Sequence, residues 1–314
     1  MRQLTKHKIG AFFFFLLLGK SLLWAQQEVS FNQYMFLHQT INAGYAGSKN
    51  YGSLTAINRS QWVGFEGGPS TQSFSYNRAR GKKNMGFAIS GLYDRIGPIT
   101  TSQAAFDVSY QLKLNNKEHY LGVGIKLSSI WLSLNESILI AKTLGDPALF
   151  SNSNQINPNI GFGIYYQTPK FYAGFSMPKM IENPEVFIQR HAFFIAGNLL
   201  KVGESLELKT SLLFRRTEGV QLGYDISSLL YFNRTLWVGP QIKNMNNLSS
   251  PFSQSGVGLS FLGGVHLGQS LSLGYAYGNA VGISNAENVS SHEIFLRYDL
   301  SPKVLGILRS PRLF

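Results

Sequence analysis

The chain has 314 residues, of which only 14 % are charged, well below the ~25 % of an ordinary soluble domain. Its hydrophobic fraction is 44 %, with Phe 23, Tyr 15 and Gly 32, a balance that suits a sheet with lipid on one face and a polar lumen on the other. Cysteine is absent, which excludes thiolate metal sites and Cys nucleophiles; the net charge of +12 comes without a dense Lys/Arg helix, so the expected partners are anionic lipid or an acidic protein, with no nucleic acid.

In chain order, residues 1–25 read as a signal peptide. Arg2, Lys6 and Lys8 form a basic start, Ala11 to Leu18 form an apolar run, and Ala25 before Gln26-Gln27 is the expected cleavage point. No later segment reaches 18 uninterrupted apolar residues, so a membrane location requires spanning by strands. Residues 26–50 carry Phe31, Tyr34, Met35, Phe36 and Tyr45 without sustained alternation. They are expected as a non-strand segment, either a lead-in or a piece folded into a barrel or against its periplasmic rim.

Residues 51–314 alternate with period two, as a sheet with one apolar face requires. Ala104, Phe106, Val108, Tyr110, Leu112 and Leu114 fall on one face, and Asp107, Ser109, Gln111 and Lys113 on the other. Leu121, Val123, Ile125 and Leu127 likewise oppose Gly122, Gly124, Lys126 and Ser128, and Ile294, Leu296, Tyr298 and Leu300 oppose Glu293, Arg297 and Asp299. The candidate strands are 53–60, 72–79, 85–93, 103–114, 119–130, 159–167, 171–177, 190–199, 205–214, 220–231, 235–243, 255–266, 269–278 and 291–300. The pattern predicts an all-β protein, a transmembrane antiparallel β-barrel of the outer-membrane type with about 14 strands, an even number as bacterial barrels have. A β-sandwich would also alternate, but with fewer glycines on its polar face. The tyrosines Tyr93, Tyr110, Tyr120, Tyr165, Tyr166, Tyr172, Tyr277 and Tyr298 suit interfacial girdles. Asp94 to Pro98 reads as a hairpin tip, and 141–158 and 279–290 as longer polar loops.

Chemistry-bearing constellations are sparse. There is no Gly-x-Ser-x-Gly elbow, and His292-Glu293 lacks the second His of a zincin and sits in a strand pattern; a lumen ion pair of Glu293 with Arg297 is the expected role. Gly122-Val-Gly124 and Gly161-Phe-Gly163 are strand glycines, not dinucleotide loops. No catalytic, metal or cofactor residue is assigned, and the chain is expected not to be an enzyme.

Several blocks carry a resemblance. Phe31-Asn32-Gln33-Tyr34-Met35-Phe36, Asn42 to Gly47, Arg59-Ser60-Gln61-Trp62-Val63-Gly64-Phe65-Glu66-Gly67-Gly68-Pro69, Asp94 to Pro98, Pro158 to Gly163 with Phe171 to Pro178, Ser291 to Tyr298 and the closing Ser310 to Phe314 resemble, in order, the motifs of the PorP/SprF family of the Bacteroidetes type IX secretion system. Ala43 stands where the family has Pro in its Asn-Pro-Ala-Tyr block. The resemblance implies an outer-membrane barrel paired with a secreted protein through that protein's C-terminal sorting domain. It serves export or surface attachment, in some members of gliding adhesins, and some members are linked to periplasmic motor components. It brings no catalytic residues. The candidate partner-binding residues are therefore Phe31, Tyr34, Phe36 and Tyr45 of the N-terminal segment and Arg59, Gln61, Trp62 and Phe65 of the following block. The competing reading is a transport barrel, porin-like or for hydrophobic ligands.

Overall fold

The computed structural model describes residues 29–65, 67–81, 83–115, 118–135, 155–184, 188–218, 222–245, 256–281 and 290–300. The expected signal peptide with its cleavage point and the closing Ser310 to Phe314 lie outside them, as does most of the expected loops.

Fourteen strands close on one another in sequence order, every neighbour antiparallel and the last paired with the first. They are β1 (Gly52–Gln61), β2 (Ser70–Asn77), β3 (Met85–Ile96), β4 (Ile99–Lys113), β5 (Tyr120–Leu134), β6 (Gln155–Gln167) and β7 (Phe171–Met177), then β8 (His191–Lys201), β9 (Leu206–Thr217), β10 (Gly223–Phe232), β11 (Leu236–Met245), β12 (Gly256–Leu267), β13 (Leu271–Val281) and β14 (Ser290–Leu300). Each answers one strand read from the sequence. The ends shift where apolar periodicity is a poor guide: β3 and β4 run on to a turn at Gly97-Pro98, with Gly97 at φ 56°, and β6 begins at Gln155.

Burial is the inverse of a soluble protein. Along β4, Phe106, Tyr110 and Leu112 are exposed while Asp107, Ser109 and Gln111 are buried, and on β5 Val123, Ile125 and Leu127 are exposed around a fully buried Lys126. Exposed Ile, Leu, Phe and Tyr recur on nearly every strand. Such an exterior is stable only against acyl chains, where a closed sheet satisfies its own backbone hydrogen bonds and leaves no edge. The chain is an outer-membrane β-barrel.

The connections differ at the two ends. Segments 78–84, 114–119, 168–170, 202–205, 233–235 and 268–270 are at the end where β1 starts and β14 finishes; 62–69, 97–98, 135–154, 178–190, 218–222, 246–255 and 282–289, longer apart from 97–98 and 218–222, are at the other. Short turns face the periplasm in bacterial barrels and long loops face outward, which makes the first the inner end and the second the outer end.

Two tyrosines depart from the girdle expectation. Tyr165 and Tyr172 are fully buried and point into the lumen, stacked with ring centroids 5.9 Å apart. Tyr93, Tyr110, Tyr277 and Tyr298 do face the lipid side. Even spacing along a strand gives its two faces, but a tyrosine suits either of them, because its ring is apolar and its hydroxyl polar.

Candidate functional site

Residues 29–50 lie inside the barrel. They lack the alternation a wall strand needs, and they fold as three short turns, at Tyr34–Phe36, His38–Ile41 and Ala43–Tyr45. Irregular backbone inside a membrane-spanning barrel must find partners for its N–H and C=O groups. The polar, lumen-facing residues of the wall supply them, level by level.

Toward the outer end, the Glu293 carboxylate on β14 accepts the backbone N–H of Asn32 at 2.6 Å and of Gln33 at 3.1 Å. Arg59 on β1 stands 3.4 Å from the same carboxylate, and Lys243 on β11 donates to Asn32 Oδ1 at 3.1 Å. The lumen ion pair expected for Glu293 therefore exists, but with Arg59 and not Arg297. Register decides this: Arg59 lies directly across from Glu293, whereas Arg297, four residues along β14, pairs with Asp299 at 2.8 Å.

At mid-height the Tyr34 hydroxyl donates to the Ser211 carbonyl at 2.7 Å, and Lys209 Nζ sits 4.7 Å over the Phe36 ring. Gln39 is held three ways. Its amide Nε2 donates to Asp107 Oδ2 at 2.7 Å, its Oε1 accepts from Asn77 Nδ2 at 3.1 Å, and its backbone carbonyl accepts from Lys126 Nζ at 3.2 Å. Lys126 and Asp107 are themselves 3.1 Å apart with no exposure. His38 packs between Tyr45, Tyr165 and Tyr172, with Nδ1 2.8 Å from the Tyr165 hydroxyl oxygen. Burial first, then the nearby Lys209 and Arg297 charges, hold the His38 imidazole well below its ordinary titration range, so it stays neutral.

Toward the inner end, Asn42 Nδ2 donates to the Ile164 carbonyl at 3.0 Å while its Oδ1 accepts Gly44 N–H at 2.8 Å. Gln111 donates to the carbonyls of Gly44 and Ala46 at 2.8 and 2.7 Å, and Asn77 Oδ1 accepts Gly47 N–H at 2.8 Å. The approach is backbone against backbone: a methyl on Gly124 would meet the Ala43 carbonyl, and one on Gly122 the Gly44 carbonyl. Wall glycines facing the lumen are therefore seats for the segment. Around this polar frame Tyr34, Met35, Tyr45, Tyr165, Tyr172, Leu229, Tyr231, Trp237 and Leu262 form one buried apolar cluster. Along residues 29–50 the lumen is occupied by packed side chains and main chain, as a protein core is.

The second feature is the outer rim. Gln61 ends β1, and its N–H donates to the Pro69 carbonyl at 2.9 Å, closing the segment between β1 and β2. Trp62 N–H donates to the Ser290 carbonyl at 2.9 Å, and Gly97 N–H to the Gly67 carbonyl at 3.1 Å, tying this loop to β14 and to the β3–β4 turn. The backbone turns at Trp62, Gly64 and Gly67, with φ of 54°, 104° and 77°; glycine adopts such values without a Cβ penalty. The result leaves Trp62, Val63 and Phe65 uncovered by the rest of the chain at the outer rim, 43, 52 and 60 % exposed.

The residues singled out in the sequence thus divide in two. Phe31, Tyr34 and Tyr45 are buried in the lumen, with Phe36 partly buried against Trp237 and Phe295. Arg59 is buried at the top of the lumen, Gln61 is half-buried, and Trp62 and Phe65 are on the surface. Asp107, Lys126, Gln111, Asn77 and Glu293, which hold the segment, were not singled out as a site; the signal available was their place on the polar face of alternating strands.

Among the described residues no group of three or more His, Cys, Asp or Glu is placed to hold a metal ion. Compared with solved structures, the fold is similar to Omp33 of Acinetobacter baumannii (10 % identity, TM-score 0.47, covering 80 % of this chain and 99 % of that one). It is also similar to the KdgM porin (10 % identity, TM-score 0.36, 78 % and 98 %) and to CdiB from Acinetobacter baumannii (8 % identity, TM-score 0.45, 80 % and 60 %). No curated protein matches the chain. The model of one family, the type IX secretion system membrane protein PorP/SprF, matches residues 23–298. With nearly all of the barrel inside that match, the chain belongs to the PorP/SprF family of type IX secretion system membrane proteins.

Proposed function

We propose that this barrel is a membrane post of the type IX secretion system, which binds a secreted cell-surface protein of the adhesin or gliding type through its C-terminal sorting domain and so anchors it or helps its export. The observation that carries the reading is the filled lumen: residues 29–50 and the wall share a buried apolar cluster and a lattice of hydrogen bonds, leaving a rigid body in place of a pore. Such a body serves attachment, and the exposed Trp62, Val63 and Phe65 at the outer end supply apolar contact area of the kind that marks protein interaction sites. The inner face would meet the periplasmic components of the same system.

The test is an affinity pull-down of the tagged barrel from gently solubilised outer membranes of the native bacterium, read by quantitative mass spectrometry. The reading expects stoichiometric recovery of a large secreted protein through its C-terminal domain, and loss of most of it with Trp62→Ala combined with Phe65→Ala. A clean barrel with no stoichiometric partner contradicts it.

A further inference from the structure

Charge is divided between the two ends of the barrel. The inner-end connections, with the residues that end their strands, hold nine Lys or Arg and two acids, Glu118 and Glu204; those of the outer end hold three Lys or Arg and seven acids. The inner cations are spread round the circumference: Arg78 and Lys83 between β2 and β3, Lys113 at the end of β4, Lys170 between β6 and β7, and Lys201 at the end of β8. All five are exposed, and among the described residues none of them makes an ion pair. Four of them stand beside apolar surface that faces the bilayer. Lys113 follows Leu112, Lys201 follows Leu200 and Lys170 precedes Phe171, all three of these apolar neighbours being exposed. The Arg78 guanidinium lies 6.0 Å over the Phe87 ring, on the face that β3 shares with the exposed Ile89.

We infer that this inner rim is a docking ring for the phosphates of anionic phospholipids in the inner leaflet of the outer membrane, with its main seat where the β2–β3 turn meets β4. At that corner Gln111 N–H donates to the Asn84 carbonyl at 2.8 Å, so Lys83 and Lys113 lie one and two residues from the same contact. Arg78 N–H donates to the Phe87 carbonyl at 2.9 Å and Gly81 N–H to the Met85 carbonyl at 3.1 Å, which holds the turn in shape. Three cations without a carboxylate attract a phosphodiester, whose oxygens accept charge-assisted hydrogen bonds from ammonium and guanidinium groups. The height of these cations selects a lipid over a soluble acidic protein. Short turns keep them where the strands leave the membrane, and Lys and Arg stems lie along apolar surface while their charged heads reach the headgroup layer. A soluble partner would meet the barrel from below, across its inner mouth, whereas the surrounding lipid meets every part of the rim. The outer end, with its excess of acids, offers no such ring.

The test is native mass spectrometry of the purified barrel, released from detergent micelles after incubation with phosphatidylglycerol or with phosphatidylcholine of the same acyl chains. The inference expects wild type to retain phosphatidylglycerol about tenfold more than phosphatidylcholine, since each basic residue at a membrane surface adds attraction for an anionic headgroup. The combined change Arg78→Gln, Lys83→Gln and Lys113→Gln should bring the two lipids close to equality. Arg95→Gln with Arg216→Gln, exposed on the outer halves of β3 and β9, should keep the wild-type preference. Each variant is first checked for the heat-modifiable migration of a folded barrel. Glycerophosphoglycerol, the headgroup without its chains, should not displace the lipid at equal concentration; displacement would assign the corner to free phosphodiesters and overturn the inference. A preference unchanged by the triple variant overturns it as well. Equal retention of the two lipids by wild type also overturns it, and turns the ring toward an acidic periplasmic protein.

Discussion

Arg59 and Glu293 face each other across the seam where β14 closes onto β1, 3.4 Å apart, and the same carboxylate accepts the amides of Asn32 and Gln33 in the inner segment. One side chain therefore staples three parts of the chain: both sides of the closure and the segment within it.

Glu293→Ala removes an acceptor from two buried N–H groups and strands the Arg59 guanidinium. The expected loss of stability is about 3–5 kcal/mol, the usual result of breaking a buried pair from one side. Arg59→Ala leaves Glu293 its two amide donors and costs less, about 1–3 kcal/mol. Urea unfolding in detergent micelles, followed by tryptophan fluorescence, ranks the two; equal losses would mean that the amide contacts contribute little.

A second prediction concerns Lys126 and Asp107, both without exposure and joined through Gln39. Asp107→Leu alone leaves a buried ammonium unpaired and should cost about 3–5 kcal/mol. The double change Asp107→Leu with Lys126→Met should cost less than Asp107→Leu alone, because no charge is left to desolvate. A double-mutant cycle on the same unfolding signal checks the sign.

Close packing of the segment on the wall sets a third. A methyl on Gly124 would come 2.5 Å from the Ala43 carbonyl oxygen, whereas one on Gly91, on the lipid side, meets nothing nearer than 3.8 Å. Gly124→Ala should destabilise the folded barrel by about 1–3 kcal/mol through overpacking. Gly91→Ala should fall within about 0.5 kcal/mol of wild type.

The fourth is a pH dependence. His38 is held neutral, by burial above all and then by Lys209 and Arg297, while a histidine in the unfolded chain titrates near 6.5. Between that value and its depressed folded value the unfolded state binds the extra proton, so stability rises with pH across this window. His38 thus contributes fully above pH 6.5 and loses its contribution as pH falls below it, by at most about 1.4 kcal/mol per pH unit. Thermal melting of His38→Phe between pH 7 and pH 5 should fall less steeply than that of wild type, and identical slopes would refute the assignment.

The barrel itself was legible in the sequence because each wall residue has only two environments, and alternation such as Phe106, Val108 and Tyr110 against Asp107, Ser109 and Gln111 reports them directly. The contents of the lumen were not. Residues 29–50 make contacts with walls that are 30 to 261 positions away, as Gly47 does with Asn77 and Asn32 with Glu293, and no local period encodes such pairs. Glycines 122, 124 and 163 read only as strand glycines; what meets them is main chain of Ala43 and Gly44 and the side chain of Asn42. Tyr165 and Tyr172 were misplaced for a related reason: their apolar rings fit a lipid interface as well as they fit the buried cluster around His38. The exposed Trp62 and Phe65 belong to a block visible in the sequence, but their projection depends on left-handed backbone at Trp62, Gly64 and Gly67 and on ties to Ser290 and Gly97.

The central claim is that this barrel holds a partner and passes no solute, and single-channel recording in planar lipid bilayers tests it most directly. Wild-type barrel should insert without measurable unitary conductance, and a variant lacking residues 29–48 should show stable open steps of a wide pore. Steady ion-conducting channels from the wild-type protein, of the same size as those of the deletion variant, would contradict the account.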